Sequence, residues 1–171
     1  QMAYAEMLER GDCVLRDLDA AMTYYHMAAE KNDPLGAYRY SRLAERTSDR
    51  ASSFWLAYSA ALGCVDAYLK VAEKYSEHGD DELANYYYAM AAAYDVTDAI
   101  VTLAKRYYNG TGAEQNLPYA KWYMDKLLLP PIYAIKMAYK LRSVKAEDPG
   151  IPKHPDFDRM LRRLAIRAQD Y

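Results

Sequence analysis

Residues 107–126 read Tyr107-Tyr108-Asn109-Gly110-Thr111-Gly112-Ala113-Glu114-Gln115-Asn116-Leu117-Pro118-Tyr119-Ala120-Lys121-Trp122-Tyr123-Met124-Asp125-Lys126. Tyr107 and Tyr108 close one segment of helical apolar periodicity, and Asn109, Gly110, Thr111 and Gly112 break it. Leu117 opens a second segment with Pro118 in its first turn, where a missing N–H costs nothing. The stretch is helix, tight turn, helix.

Working outward, the doublet Trp122-Tyr123 has three upstream counterparts, Tyr87-Tyr88, Phe54-Trp55 and Tyr24-Tyr25, at intervals of 35, 33 and 30 residues. Three residues before each doublet stand Tyr119, Ala84, Ala51 and Ala21, so three copies carry a small residue one turn earlier on the same face. Self-similarity at a period of roughly 20 to 50 residues marks stacked helical hairpins or another solenoid.

The combination of Tyr, a turn with Gly110-x-Gly112, and a helix with small-x-x-Trp122-Tyr123 resembles the Sel1-like repeat family, a relative of the tetratricopeptide repeats. The likeness is fullest in the fourth copy and extends in looser form over about residues 3–141. The second and third copies lack the paired glycines, and residues 46–50 make a shorter turn than the family's. The resemblance implies an all-α, right-handed α-solenoid of stacked antiparallel hairpins, a Sel1/TPR-like superhelix. Its implied organisation is an array over 1–147 (four hairpins and the start of a fifth), a Pro-rich linker over 148–155 and a C-terminal capping helix over 156–171.

Local signals place the elements. A first helix over 3–10 breaks at Gly11 and Asp12; Asp17 or Asp19 caps the next, which ends at Asn32, Asp33, Pro34 and Gly36. The second hairpin is expected over 37–45 and 49–62, with Gly63 after it; the third over 66–75 and 81–94, capped by Asp80 or Asp81; the fourth over 98–108 and 117–129. Pro130 and Pro131 stop that helix. Tyr133, Met137, Ala138 and Leu141 then repeat the leading-helix spacing of Ala99, Leu103, Ala104 and Tyr107. In the last segment Phe157, Met160, Leu161, Leu164 and Ala168 share a face flanked by Arg159, Arg162 and Arg163, the pattern of a cap over a solenoid's last apolar face.

Apolar content of 52% argues for a folded chain, and no run of about 18 apolar residues is present to span a membrane, so membrane contact is not expected. The net charge of -2 conceals an asymmetry: residues 1–100 hold 9 Lys/Arg against 17 Asp/Glu, residues 101–171 hold 13 against 7. With a pI near 5.9, nucleic acid is not an expected partner, because phosphate neutralisation supplies most of such affinity. The chain begins at Gln1 rather than an initiating Met and reads as a fragment, so a leader, an anchor or further repeats could precede it. Localisation, in bacterial periplasm or cytoplasm, stays open, as does oligomeric state.

Catalytic and metal signals are missing. Cys13 and Cys64 have neither metal-ligand nor in-repeat pair spacing, and His26, His78 and His154 stand in different elements without a ligand partner. Asp17 with Asp19 and Asp156 with Asp158 sit at helix starts, where capping explains them. Gly110-Thr111-Gly112 follows a helix and lacks the Lys-Ser/Thr of a phosphate loop; Asn109 to Thr111 forms a glycosylation sequon relevant only in a eukaryotic secretory route. No catalytic residue, metal or cofactor is expected, and the chain reads as non-enzymatic.

The resemblance also implies where a partner binds. In the related tetratricopeptide arrays the leading helices line a concave wall, through positions five before and two and five after the inward Leu, Met or Val. Applied to Leu43 this gives Tyr38, Glu45 and Ser48; to Val71, Asp66, Glu73 and Ser76; to Leu103, Asp98, Lys105 and Tyr108; to Met137, Ile132, Tyr139 and Arg142. The expectation is a protein–protein interaction module, an adaptor or scaffold in a bacterial envelope, secretion or signalling complex, holding a protein or peptide on that wall. The alternative is a regulatory or substrate-positioning arm of a larger enzyme whose catalytic domain lies outside this chain.

Overall fold

Each trailing helix starts where a side chain caps it. Asp17 Oδ1 accepts from the N–H of Asp19 and Ala20 (3.1 and 2.9 Å), Ser48 Oγ from Ala51 (3.2 Å), Asp80 Oδ1 from Leu83 (3.3 Å) and Asn116 Oδ1 from Tyr119 (3.0 Å). These bonds satisfy N–H groups that have no partner within the helix. The computed structural model describes residues 2–150, whose regular structure is all helical, with no strand among them. The helices are α1 (Met2–Arg10), α2 (Leu18–Ala29), α3 (Pro34–Ala44), α4 (Asp49–Ala61), α5 (Val65–Glu77), α6 (Asp81–Ala93), α7 (Thr97–Asn109), α8 (Leu117–Asp125) and α9 (Ile135–Leu141), the last preceded by a 3-10 turn, Ile132–Ala134. The described residues divide into two compact units, 2–67 and 68–150.

Counting from the caps exposes the repeat more sharply than the ring doublets do. Four residues after each cap stand Ala21, Ser52, Ala84 and Ala120, all fully buried. Three residues further on the same face come half-buried Tyr24 and buried Trp55, Tyr87 and Tyr123, and one beyond them Tyr25, Leu56, Tyr88 and Met124, each buried. Ala51 and Tyr119, three residues before their doublets, are therefore one position off this line, and both are only half-buried. The doublets Phe54-Trp55 and Trp122-Tyr123 are shifted by one against the other two.

In the first unit α1 to α4 pack in succession. Ala5 and Leu8 of α1 meet Ala21 and Tyr25 of α2, with Tyr40 and Leu43 of α3 against them. Ala29, Ala37, Phe54 and Trp55 form the neighbouring core. The Tyr25 hydroxyl donates to Glu9 Oε2 (2.7 Å), and Arg39 pairs with Glu9 and Glu6 (3.3 and 3.5 Å). Burial, and then this bond to Glu9, hold the Tyr25 hydroxyl well above the usual phenol range. Gly36 corrects the expected end of the first hairpin. Asp33 caps α3 and Pro34 opens it, so Gly36 lies inside a helix, where a Cβ would stand 2.6 Å from Ala28 Cβ. Glycine here lets α3 approach α2 at backbone distance.

Ser52 yields a prediction. Its hydroxyl is fully buried with no hydrogen-bond partner, whereas the equivalent position in the other three hairpins is alanine. Ser52→Ala removes an unpaired buried polar atom and improves helix propensity, so it is expected to raise stability by about 1 kcal/mol in chemical denaturation. A loss of stability would show that the hydroxyl is bonded.

In the second unit α6, α7 and α8 pack in succession, and Tyr75 of α5 stacks on Tyr87 of α6 (5.7 Å, 6°) as Tyr107 of α7 does on Tyr123 of α8 (5.9 Å, 7°). Burial holds all four hydroxyls above the ordinary phenol range. Arg106 of α7 is 8% exposed. Its Nε donates to Asn85 Oδ1, its Nη1 to Ser76 Oγ (3.0 Å) and its Nη2 to Asp81 Oδ1 and O (2.5 and 3.3 Å), while the guanidinium lies over the Tyr88 ring. Asn85 Nδ2 in turn donates to Thr111 O (3.0 Å), holding the Gly110–Gly112 turn against α6. At Gly112 (φ +68) a Cβ would stand 2.5 Å from Asp81 Cβ. Cys13, φ 61, takes the corresponding place in the first turn.

Helix α8 stops at Asp125 rather than 129, leaving Leu128 and Leu129 exposed ahead of the proline pair. Asp148 Oδ1 accepts from Gly150 N (2.8 Å). The expected capping helix over 156–171, residues 151–155 of the linker and His154 lie outside the described residues.

Candidate functional site

The surface positions of the leading helices follow from the same counting. Leu103 and Val71, both buried, and half-buried Tyr40 stand seven residues after the residue preceding α7, α5 and α3. Positions two, nine and twelve are then Asp98, Lys105 and Tyr108 on α7; Asp66, Glu73 and Ser76 on α5; and Leu35, Arg42 and Glu45 on α3. The expected residues of α5 and α7 keep their register. That of α3 does not: Leu43 is a half-buried residue packed on the α1–α2 core, and Tyr40 holds the place it was given. Tyr38 is consequently equivalent to buried Val101, and Ser48 caps α4. Ser76 also turns away from solvent, accepting from Arg106.

Part of the expected set meets in the second unit. Asp98 Oδ1 accepts from the Tyr133 hydroxyl (2.9 Å), and Lys105 Nζ lies 5.1 Å from the centroid of the same ring. One turn along α7, Lys140 Nζ lies 5.9 Å from the Tyr108 centroid. On α9 the Arg142 guanidinium covers the Tyr139 ring at 3.8 Å, and its Nη1 donates to Tyr139 O (2.9 Å). The bond to Asp98 holds the Tyr133 hydroxyl above its usual range, since the phenolate would face a carboxylate. Ile132, Tyr133, Ile135 and Tyr139 are all more than half exposed, so apolar and cationic groups share this surface.

The remaining expected residues are not brought to it. Glu73 pairs with Lys70 on α5 (2.7 Å), and Tyr38, Glu45 and Asp66 belong to the first unit. Sequence reasoning missed Tyr133 and Lys140, the two groups that join the α9 segment to α7. Tyr133 falls four residues before the chosen anchor Met137 rather than five; a search for exposed rings within reach of lysines on a neighbouring helix could have found both.

Among the described residues no three His, Cys, Asp or Glu side chains converge as a metal site, and no helix is long and apolar enough to cross a membrane. Cys13 and Cys64 are free thiols, exposed and buried. His26 packs on Tyr40 and Trp55 near Glu30, and His78 Nδ1 lies 2.6 Å from Lys74 O. The surface holds ring faces, ammonium and guanidinium groups and a single bonded carboxylate, groups suited to non-covalent recognition.

The geometry defines an all-helical repeat protein of stacked hairpins, an α-solenoid. Its fold is that of the Sel1-like repeat proteins, as the sequence resemblance implied. Over 99% of the chain it is similar to c5321, a protective antigen present in uropathogenic Escherichia coli strains that displays an SLR fold, at 17% identity and a TM-score of 0.69, covering 36% of that protein. Over 97% it is similar to a Sel1 repeat protein from Oxalobacter formigenes, at 18% identity and a TM-score of 0.71, covering 50% of that chain. The chain thus spans about a third and a half of the lengths of these two structures. No protein-family model and no curated protein matches the sequence.

Proposed function

We propose that the chain is a non-enzymatic protein-interaction module and that the second unit grips its partner through the surface of α7 and the 132–142 segment. The observation that carries this reading is the convergence of Asp98, Lys105, Tyr108, Tyr133 and Lys140 on one exposed surface, with Tyr139 and Arg142 on the adjoining helix. Aromatic rings and arginine are the side chains that most often anchor protein interfaces, because they bury much area for little lost freedom. Each cation here rests on a ring in the free protein, so the cations are held in place before a partner arrives. The similarity to Sel1-fold structures supports a repeat interaction module in general; the role assigned to it in this proposal is that of an adaptor or scaffold in a bacterial envelope, secretion or signalling assembly.

The test is capture from a lysate by the chain and by its Lys105→Glu/Arg142→Glu variant. Both side chains are exposed and lie over rings rather than in ion pairs, so helicity and melting temperature are expected to stay nearly unchanged while capture drops about tenfold. Undiminished capture by a folded variant would move the contact surface elsewhere.

A further inference from the structure

The α7–α9 surface has a charge that selects its occupant. Residues 132–145 contain Lys136, Lys140, Arg142 and Lys145 and no acidic residue. Together with Lys105 these cations make no salt bridge with any acid among the described residues, and four of them fall within fourteen residues; Arg10, Arg16, Arg42 and Arg46 of the first unit also make none, whereas Arg39, Arg106, Lys121 and Lys126 each make at least one. Asp98, the one carboxylate in the cluster, is already engaged by the Tyr133 hydroxyl. Exposed Ile132, Tyr133, Ile135 and Tyr139 lie among the cations. A ligand matching this surface brings several carboxylates and also apolar side chains between them.

Resting on the interaction reading above, we infer that the partner segment seated here is an acidic peptide whose Asp or Glu side chains alternate with Leu or Phe. Its carboxylates pair with Lys105, over the Tyr133 ring, and with Lys140, over the ring of Tyr108, which follows Lys105 by about one turn of α7. Its apolar side chains cover Ile132 and Tyr139. Pairing an ammonium that already rests on a ring needs little further ordering, and the steering is electrostatic, so affinity falls as salt is added. A nucleic acid would meet the Asp98 carboxylate and bring nothing to cover the isoleucines. A lipid surface would engage the isoleucines and lysines but would not distinguish Lys105 from other exposed lysines.

The experiment measures fluorescence anisotropy of a labelled Glu/Leu/Phe peptide with the full chain, beside the same peptide carrying Gln for Glu, phosphatidylserine vesicles and an oligo-dT strand. Saturable binding of the Glu peptide is expected, weakened about tenfold or more by the Gln peptide, by Lys105→Glu/Lys140→Glu and by added salt. Circular dichroism confirms that the variant is folded. Equal binding of the Glu and Gln peptides overturns the inference, as does tighter binding of vesicles or oligo-dT. The two readings fail separately: if Lys105→Glu/Arg142→Glu abolishes capture from lysate but the Glu peptide does not bind, the acidic class falls and the interaction surface stands. If that variant captures normally, the surface itself is misplaced.

Discussion

Trp55→Ala is expected to lower the stability of the first unit by about 3–5 kcal/mol, the range for truncating a buried large aromatic. The ring is 8% exposed and meets His26 of α2, Tyr40 of α3, and Phe54 and Tyr58 of α4, every one at a steep angle with centroids 5.3–5.6 Å apart. Its loss removes both the buried area and the edge-to-face contacts that join three helices. The position cannot collapse readily, because Ala29 and Ala37 beside it are too small to fill the space. Urea titration followed by circular dichroism reads the effect directly. A cost below about 1 kcal/mol would mean that the ring is not at the core of the hairpin and that the counting from the caps is wrong.

Arg106→Met is the second. Methionine keeps an unbranched stem against Tyr88 but removes the donors to Asn85, Ser76 and Asp81 at once. Breaking a buried pair costs about 3–5 kcal/mol because the partner is left buried without its counter-charge. The Asp81 side chain is 38% exposed and recovers some hydration, which sets the expectation at the lower end, about 3 kcal/mol. Arg106→Lys is expected to recover less than half of this, since one ammonium cannot span acceptors on three residues arranged for a planar fork. The loss should fall on the second unit, with faster amide exchange in the Gly110–Gly112 turn that Asn85 holds. Full rescue by lysine would show that charge alone matters there and that the fork geometry does not.

Much of the fold is written in local chemistry. Asp17, Asp80 and Asn116 occupy sites where only a short acceptor side chain closes the first turn, and Gly63 and Gly110 adopt the positive φ that ends a helix. The ring doublets led to the right repeat but by an approximate ruler. Caps recur at intervals of 31, 32 and 36 residues, the doublets at 30, 33 and 35, because a ring may stand on either side of the buried line. Ser52 and Ala120 were passed over for that reason. Gly36 read as a turn because glycine usually breaks helices; its reason for being there is a close approach by Ala28, a tertiary fact that no local pattern carries. Leu43 was a natural anchor by hydropathy, yet Tyr40 occupies that line, with its hydroxyl held up by burial.

The candidate surface was half legible. Spacing from Leu103 found Asp98, Lys105 and Tyr108, since a regular helix fixes which residues share a face. Tyr133 and Lys140 were out of reach because the segment from Leu127 to Ile135 is irregular, with α8 ending early and a 3-10 turn before α9. Helical counting across such a break loses phase.

Amide hydrogen exchange of the full chain, alone and with its captured partner, puts the central claim to its most direct test. Protection is expected on α7 from Asp98 to Tyr108 and over residues 132–142, with α1 and α2 unchanged. Protection confined to other helices, with α7 and α9 exchanging as in the free chain, would contradict it.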